Sequence, residues 1–189
     1  MDVLTSSFSF EGALTVCWKP HPERDFAFEA TFILDHPSFA QFRSEKPPLH
    51  LHPHQEEYIQ VLEGALVLEV EGCEHVLRPE DGEFLVAPWI IHRLYTLPVP
   101  KAGEPPSRDS NIVRFLASGE KTLEVFKMDL LFFENWYRYQ DEVIRNKKGI
   151  DIIQAMCVGL LCSFIRLDPW SLWLITNDNR RPLMLEDHI

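Results

Sequence analysis

Hydrophobic and polar residues alternate through the first two thirds of the chain with the two-residue period of β-strands. Residues 8–18 and 26–34 are rich in aromatic and β-branched residues and are joined by the turn-rich string KPHPERD, which predicts two antiparallel strands. The strings ALVLEV and CEHVLRP flank Glu71 and Gly72, a pattern typical of a β-hairpin. IVRFLASG and TLEVF complete the predicted set of strands. The pattern predicts an all-β sandwich or barrel.

The hydrophobic period changes at Asp129. Apolar residues then recur at spacings of three, four and seven, which predicts an amphipathic helix that Asp129 caps and that ends near Gly149. The positions on its apolar face are Leu130, Phe133, Tyr137 and Ile144. We therefore expect a β-barrel over residues 1–128 and a helical C-terminal extension over residues 129–189, packed on the barrel or at a dimer interface.

A second helical segment, residues 150–165, is apolar on nearly all sides and so needs a covering surface. Its uncharged run of 14 residues, 152–165, is shorter than the roughly 20 residues that span a bilayer, so we expect no transmembrane segment. We expect residues 150–175 to contribute to a homodimer. Packing on the barrel, peripheral contact with a membrane and a route for a hydrophobic substrate stay open as alternatives.

Composition and charge narrow the range of partners. The 189 residues carry 29 acidic and 18 basic side chains, a formal charge of −11, and the basic residues are scattered. Nucleic-acid binding depends on clustered Lys and Arg, so we expect no nucleic-acid partner. The four cysteines form no C-x-x-C pair and predict reduced thiols. The N-terminus has no basic segment followed by an apolar one, so we expect a cytoplasmic protein without a signal peptide.

The most distinctive chemistry lies in the segment LHLHPHQEEYIQVLEG, residues 49–64. His50 and His52 are two residues apart in a predicted strand, so their imidazoles project to the same side. Pro53 ends that strand, and a return strand then brings the Glu57 carboxylate beside the two histidines. His54 has the parity of the outward face. Two nitrogens and one oxygen that converge in this way make half of a metal site.

His92, at the end of the segment GEFLVAPWIIH, supplies a fourth candidate ligand. The two segments together resemble the two motifs of the cupin superfamily. The first motif, G-x5-H-x-H-x4-E-x6-G, is matched at four of its five fixed positions, with Ser44 in place of the leading Gly. The second motif, G-x5-P-x-G-x2-H-x3-N, is matched in part, because Gly82 and Pro88 fit and His92 comes one residue early. PWIIHRLY and FFENWYRYQD are similar to small single-domain fungal cupins of specialised metabolism.

The resemblance implies a mainly-β fold, a cupin-type double-stranded β-helix (jelly-roll barrel), with C-terminal α-helices. It also implies one divalent transition metal per chain, and Fe, Mn, Ni, Co and Zn are all compatible with three nitrogens and one carboxylate. The implied ligands, which lie within residues 49–95, are His50, His52, Glu57 and His92.

Further candidates lie close to these ligands in the sequence. The candidates for a general acid or base are Glu57 itself, His54 at the rim, and Tyr58 or Tyr95 if the strand parity is displaced by one residue. The residues expected to line a substrate pocket are Ile59, Val61, Trp89 and Leu94. Arg93 has the outward parity, and a pocket without an inward cation favours a neutral or weakly acidic, largely apolar molecule over a phosphosugar.

Three functions are compatible with the resemblance. The first is a metal-dependent enzyme, an oxidoreductase of the dioxygenase kind, acting on a small aromatic or polyketide-like metabolite. The same ligands suit a redox-neutral decarboxylase, isomerase or cyclase on the same class of substrate. A non-catalytic cupin that binds a small molecule is the third. The sequence contains no P-loop, G-x-S-x-G or H-E-x-x-H motif that would favour another chemistry.

Overall fold

Nine β-strands, one short 3-10 helix (Pro79–Asp81) and one α-helix form the regular elements in the part of the chain that the structure describes. The computed structural model describes residues 7–9, 12–37, 46–47, 49–97, 111–124 and 127–145, with the backbone alone at 7–9 and 139–145. The strands are β1 (Ser7–Ser9), β2 (Leu14–Trp18), β3 (Arg24–Ile33), β4 (Glu57–Glu63), β5 (Leu66–Val70), β6 (Cys73–Leu77), β7 (Glu83–Val86), β8 (His92–Thr96) and β9 (Ile112–Glu120). Helix α1 spans Leu130–Arg145.

The larger sheet has six antiparallel strands in the order β1-β2-β3-β9-β4-β7. Strand β9 alternates strictly between a buried and a half-buried face, and β4 does so from Glu57 to Leu62, as the sequence pattern predicts. The buried side of β4 and β9 carries Glu57, Ile59, Val61, Val113, Phe115, Ala117 and Gly119. Because Glu57 has this parity, β4 brings a carboxylate to the same face as the apolar core.

The N-terminal run differs from the prediction of one strand over residues 8–18. The structure divides it into β1 and β2, which pair with each other antiparallel. Gly12 lies in the connection between them with a φ of 89°, a value that L side chains rarely adopt. The second predicted strand, residues 26–34, corresponds to β3, and β2 and β3 are antiparallel as expected.

The smaller sheet has three antiparallel strands in the order β6-β5-β8. The predicted hairpin is confirmed, because β5 and β6 are joined by Glu71 and Gly72 alone. These two residues have φ values of 48° and 82°, and positive values at both positions give the turn whose twist matches that of paired strands.

The hydrophobic core lies between the two sheets. Buried residues of both sheets belong to one contiguous cluster, which includes Ile59 and Val61 of β4 and Leu66 and Leu68 of β5. Each large apolar side chain buried in this way stabilises the fold by about 1.5–3 kcal/mol. The prediction of a mainly-β jelly-roll fold is confirmed.

TLEVF, residues 122–126, was expected to continue the sheet, and the described part of it does not. The chain leaves β9 at Glu120, and residues 121–124 are not in a strand. The reason is visible at Thr122, whose backbone N–H donates to the Asp25 carboxylate at 2.9 Å instead of to a neighbouring strand.

Helix α1 begins where the sequence predicts, and the Asp129 Oδ1 atom caps it by accepting from the Phe132 backbone N–H at 2.8 Å. The helix packs Phe133 against the Phe26 and Phe28 rings of β3, with ring centroids 4.4 and 4.9 Å apart. Leu130 was expected on the packed face, but its side chain is 42% exposed, because the helix turns Phe132, Phe133 and Tyr137 inward. Ile144 and the predicted helix at 150–165 lie outside the residues whose side chains are described.

The helices among the described residues are all too short or too polar to cross a membrane. The boundary between a barrel at 1–128 and an extension at 129–189 stays a prediction, as does the homodimer.

Candidate metal centre

The segment that carries His50 is held by a single antiparallel bridge and is not a regular strand, in contrast to the prediction. The His50 N–H donates to the His92 carbonyl at 2.9 Å, and the His92 N–H donates to the His50 carbonyl at 2.9 Å. Pro53 ends the extended stretch as expected. The bridge is nevertheless sufficient to place His50 directly beside the first residue of β8.

Four side chains converge at this point, and they are the four that the sequence predicts together: His50, His52, Glu57 and His92. One nitrogen or oxygen atom from each lies within 4.8 Å of all the others. The ring centroids of the three histidines are 4.4–5.1 Å apart. The group is mostly buried, since His92 is 1% and Glu57 is 9% exposed. Such a cluster could hold a metal ion.

His92 is oriented by the backbone in the manner of a metal ligand. Its Nδ1 atom lies 2.9 Å from the Ile90 carbonyl oxygen, which can only accept, so Nδ1 carries a hydrogen. In the neutral ring, Nε2 then has no hydrogen and carries a lone pair. This Nε2 atom faces the Glu57 Oε2 atom at 3.0 Å. Two acceptors at this distance repel each other unless a cation lies between them or a proton makes His92 an imidazolium. A transition metal meets this requirement, and a carbonyl behind the ring is the usual support for a ligating histidine.

The surroundings of His52 also favour a metal ion at this site. Its Nε2 atom is fully buried and has no hydrogen-bond partner among the described residues. The Glu57 Oε2 atom lies 3.4 Å away, but the two atoms are not aligned for a hydrogen bond. A buried polar atom without a partner costs about 1–3 kcal/mol, so the position is explained if Nε2 coordinates an ion. The donor set therefore fits a divalent transition metal.

In the metal-free cluster, contacts between the side chains shift the pKa values of Glu57 and His92. Burial alone would raise the pKa of Glu57, but the nearby His52 and His92 nitrogens outweigh it and hold the pKa well below its usual range. Burial alone would lower the pKa of His92, and the Glu57 carboxylate outweighs it and raises the pKa. Glu57 is therefore an anion at neutral pH, which is the state that binds a metal.

Gln55, between His52 and Glu57, is a buried residue whose contacts beside the site the sequence analysis missed. Its side chain is 2% exposed, and its Nε2 atom donates to the backbone carbonyls of Glu120 at 2.8 Å and Met128 at 3.0 Å. Its Oε1 atom accepts from the Met128 N–H at 2.8 Å. One amide thus joins the metal-site loop to the end of β9 and to the segment that begins α1.

A second network holds the chain that leads into His50. On the outer face of the small sheet, Arg93 forms a two-pronged pair with Glu69, with both N···O distances at 2.8 Å. The Arg93 Nη1 atom also donates to the Pro47 carbonyl at 3.4 Å, and Lys46 Nζ lies 3.1 Å from the same Glu69 carboxylate. Arg93 faces outward, as its parity predicts, and it ties residues 46–47 to β8.

The remaining candidate acids and bases lie away from the cluster. His54 is exposed, and its ring is 5.9 Å from that of Trp89. The Tyr95 hydroxyl lies on the outer face of the small sheet, 3.5 Å from Glu69. The Tyr58 hydroxyl donates to Glu56 and is directed away from the core face of β4. Among the candidates for acid–base chemistry, the structure brings only Glu57 into the site.

The expected pocket residues separate into two groups. Ile59 and Val61 share the face of Glu57 but are 1% exposed and packed in the core, and Leu94 is partly buried against the same core. Trp89 differs from the prediction, because its side chain is 64% exposed. Its φ of 67° and the bond from its N–H to the His52 carbonyl, 2.9 Å, direct the backbone toward the site and the indole toward solvent.

Comparisons with known proteins find a matching domain and similar structures. The family model of the cupin domain matches residues 43–97, which contain all four converging side chains. A crystal structure of an RmlC-like cupin from Shewanella frigidimarina is 19% identical, covers 66% of this chain and 90% of its own, and has a TM-score of 0.40.

Similar sequences come from fungi. An oxidoreductase from Arthrobotrys oligospora is 36% identical over 164 residues, covering 85% of this chain and 62% of its own length. The probable oxidoreductase yanE from Aspergillus niger is 33% identical, covering 79% and 56%, and the epoxidase atD from Aspergillus terreus is 34% identical, covering 61% and 33%. The chain spans less than two thirds of the length of each of these relatives. Residues 43–97, which hold all four converging side chains, are therefore the part of the chain that is similar to the cupin domain.

Proposed function

We propose that this protein is a metal-dependent oxidoreductase that acts on a small, largely apolar, oxygenated aromatic or polyketide-like metabolite. The observation that carries the proposal is the pairing of His92 Nε2 with Glu57 Oε2 at 3.0 Å, in a cluster with two further histidines, because one metal ion would relieve the repulsion between these atoms and also give the buried His52 Nε2 atom a partner. The residues that would hold the ion are His50, His52, Glu57 and His92.

A bound divalent transition metal would supply Lewis acidity, a redox-active centre, or both, with coordination positions left open beyond four protein ligands. The chain itself contributes orientation and exclusion of water. The Ile90 carbonyl fixes the tautomer of His92, and burial around Glu57 keeps the site in a low dielectric, where electrostatic contacts are strong.

Oxidoreductase chemistry is favoured over the redox-neutral alternatives because relatives at 33–36% identity are named as oxidoreductases or an epoxidase. Decarboxylation, isomerisation or cyclisation on the same ligands, and binding without turnover, are the alternatives that the experiment must separate.

The metal is tested first. We expect about one divalent transition metal per purified chain, and we expect the double substitution His50→Ala/His52→Ala to abolish it while the far-ultraviolet circular dichroism is retained, because the core rests on apolar contacts. The control is His54→Ala, which removes an exposed histidine of the same loop. Equal metal content in the double variant and the wild type would refute the ligand assignment.

Turnover is tested next, with hydroxylated aromatic acids and aldehydes and with oxygen consumption followed directly. Oxygen uptake that depends on metal and substrate supports the proposal. Product formation without oxygen uptake assigns redox-neutral chemistry, and saturable binding without product assigns a binding protein. Binding of sugar phosphates alone would overturn the substrate class.

A further inference from the structure

The segment that brings His50 to the metal centre is poor in backbone hydrogen-bond donors. Pro47 and Pro48 precede it in the sequence, and proline has no N–H to give to a neighbouring strand. The described residues just before His50 are accordingly not in a strand, and the bridge itself supplies two backbone hydrogen bonds to His92. Side chains that hold this segment therefore bear directly on where the His50 imidazole lies.

Glu69, in the central strand of the small sheet, is the residue on which the contacts to this segment converge. It lies on the outer face of the sheet, opposite Arg93 of β8 and Glu74 of β6. Glu69 is 7% exposed, and Arg93 binds its two carboxylate oxygens at 2.8 Å each. The hydrogen bonds from Arg93 lower the pKa of the Glu69 carboxyl, and Lys46 lowers it further against the effect of burial. Glu69 is therefore an anion at neutral pH.

A pair of like charges explains why the segment is drawn to the small sheet. Glu69 and Glu74 are directly opposite each other on neighbouring strands, where two carboxylates repel. Lys46, from the segment before the bridge, joins them, with its Nζ atom 3.1 Å from Glu69 and 2.5 Å from Glu74. One residue further on, the Pro47 carbonyl accepts from Arg93 Nη1 at 3.4 Å. The contacts that a strand would have made with backbone atoms are thus made by charged side chains.

We propose that Glu69 is a positioning residue for the metal centre, which holds the His50 ligand in place from the outer face of the small sheet. It acts through Lys46 and Arg93 and does not itself touch the ion. Glu57 and His92 lie on strands β4 and β8, whose ladders place them independently of these charges. The proposal rests on the proposed function and refines it, because it makes the position of one ligand depend on charges outside the site.

Hydrogen exchange tests the positioning without a metal. In the metal-free full chain, we expect Glu69→Gln to speed the exchange of the His50 N–H about 10-fold, the usual effect of losing one hydrogen bond to a charged group, and to leave the amides of β9 unchanged. Lys46→Met, which removes the cation at the surface, should act in the same direction. The matched control is Glu29→Gln on the outer face of the large sheet, whose carboxylate also pairs with one lysine and one arginine.

The affinity for Co(II), followed by its visible absorption, tests the link to His50. We expect Glu69→Gln to weaken Co(II) binding about 10-fold in an otherwise wild-type chain, as the loss of a group that orients a ligand commonly does. In a His50→Ala chain, the same substitution should have no further effect, because the ligand that it positions is already gone. A residue that merely supports the fold would weaken binding equally in both chains.

The two measurements fail in different ways if one of the proposals is wrong. Equal exchange of the His50 N–H in the wild type and Glu69→Gln overturns the positioning role alone. Acceleration of the β9 amides by the same factor, or equal weakening of Co(II) binding in both chains, also overturns it, because Glu69 would then support the whole fold. If the wild type binds no Co(II), the proposed function is wrong, and Glu69 has no metal ligand to position.

Discussion

At the scale of single residues, the orientation of His92 sets the pH response of the site. In the metal-free protein, Glu57 raises the pKa of His92 above its ordinary value near 6.5 despite burial. A group with a raised folded pKa stabilises the protein fully below its unfolded pKa and loses that effect as the pH rises through the folded pKa. Metal binding requires the neutral ring and displaces this proton.

We therefore expect the thermal midpoint of the metal-free protein to fall as the pH is raised from about 6 to about 9. The stabilisation by added Zn(II) should increase over the same interval, because fewer protons compete with the metal. Scanning calorimetry of both forms measures this. A metal-free midpoint that rises over this interval would contradict the assigned state of His92, and His54→Ala, an exposed histidine, should keep the wild-type slope.

Gly119 is not among the residues with positive φ, so replacing it tests steric crowding and not backbone conformation. We expect Gly119→Ala to lower the free energy of unfolding by about 1–3 kcal/mol, because the new methyl group would lie 2.1–2.8 Å from three atoms of the Phe26 ring. Denaturant unfolding measures the loss. Adding Phe26→Leu should recover part of it, and a double variant no more stable than Gly119→Ala would argue against this contact as the cause.

At the scale of elements, Gln55 couples the metal-site loop to helix α1. We expect Gln55→Ala to reduce the free energy of unfolding by about 2–4 kcal/mol, because it leaves one backbone N–H and two carbonyls without their partner. Metal affinity should fall as well, since Glu57 loses its support. Gln60→Ala, on the outer face of β4, is the matched control and should change stability by no more than about 0.5 kcal/mol. Full stability of Gln55→Ala would show that α1 is held by other contacts.

The sequence predicted those parts of the site that follow from local rules. Alternation along a strand put His50 and His52 on one side, the motif spacing added Glu57 and His92, and a two-residue turn with a glycine located the β5–β6 hairpin. Gln55 was missed because its partners are backbone atoms 65 and 73 residues away, which leave no mark on the local pattern. Trp89 was expected beside the site from its place at the Pro-Trp corner, and the local pattern carries no sign of the positive φ at this residue, whose side chain is 64% exposed.

At the scale of the whole molecule, the oligomeric state stays a prediction. We expect a homodimer to which residues 150–175 contribute, because an apolar surface of that kind is rarely left exposed to water. Sedimentation of the full chain and of a chain truncated after Gly149 measures this, with loss of dimer or of solubility expected on truncation. A full-length monomer at micromolar concentration would contradict the homodimer.

The bond between Gln55 and Met128 also bears on biosynthesis. Proteins emerge from the ribosome N-terminus first, at about 5–20 residues per second. The segment with His50, His52 and Glu57 therefore leaves the ribosome several seconds before Met128, whose backbone binds the Gln55 side chain, has been synthesised. A nascent chain that stops just short of Met128 already carries His50, His52, Glu57 and His92 but lacks the bonds between Gln55 and Met128, so we expect selective metal uptake to be a late, post-translational event.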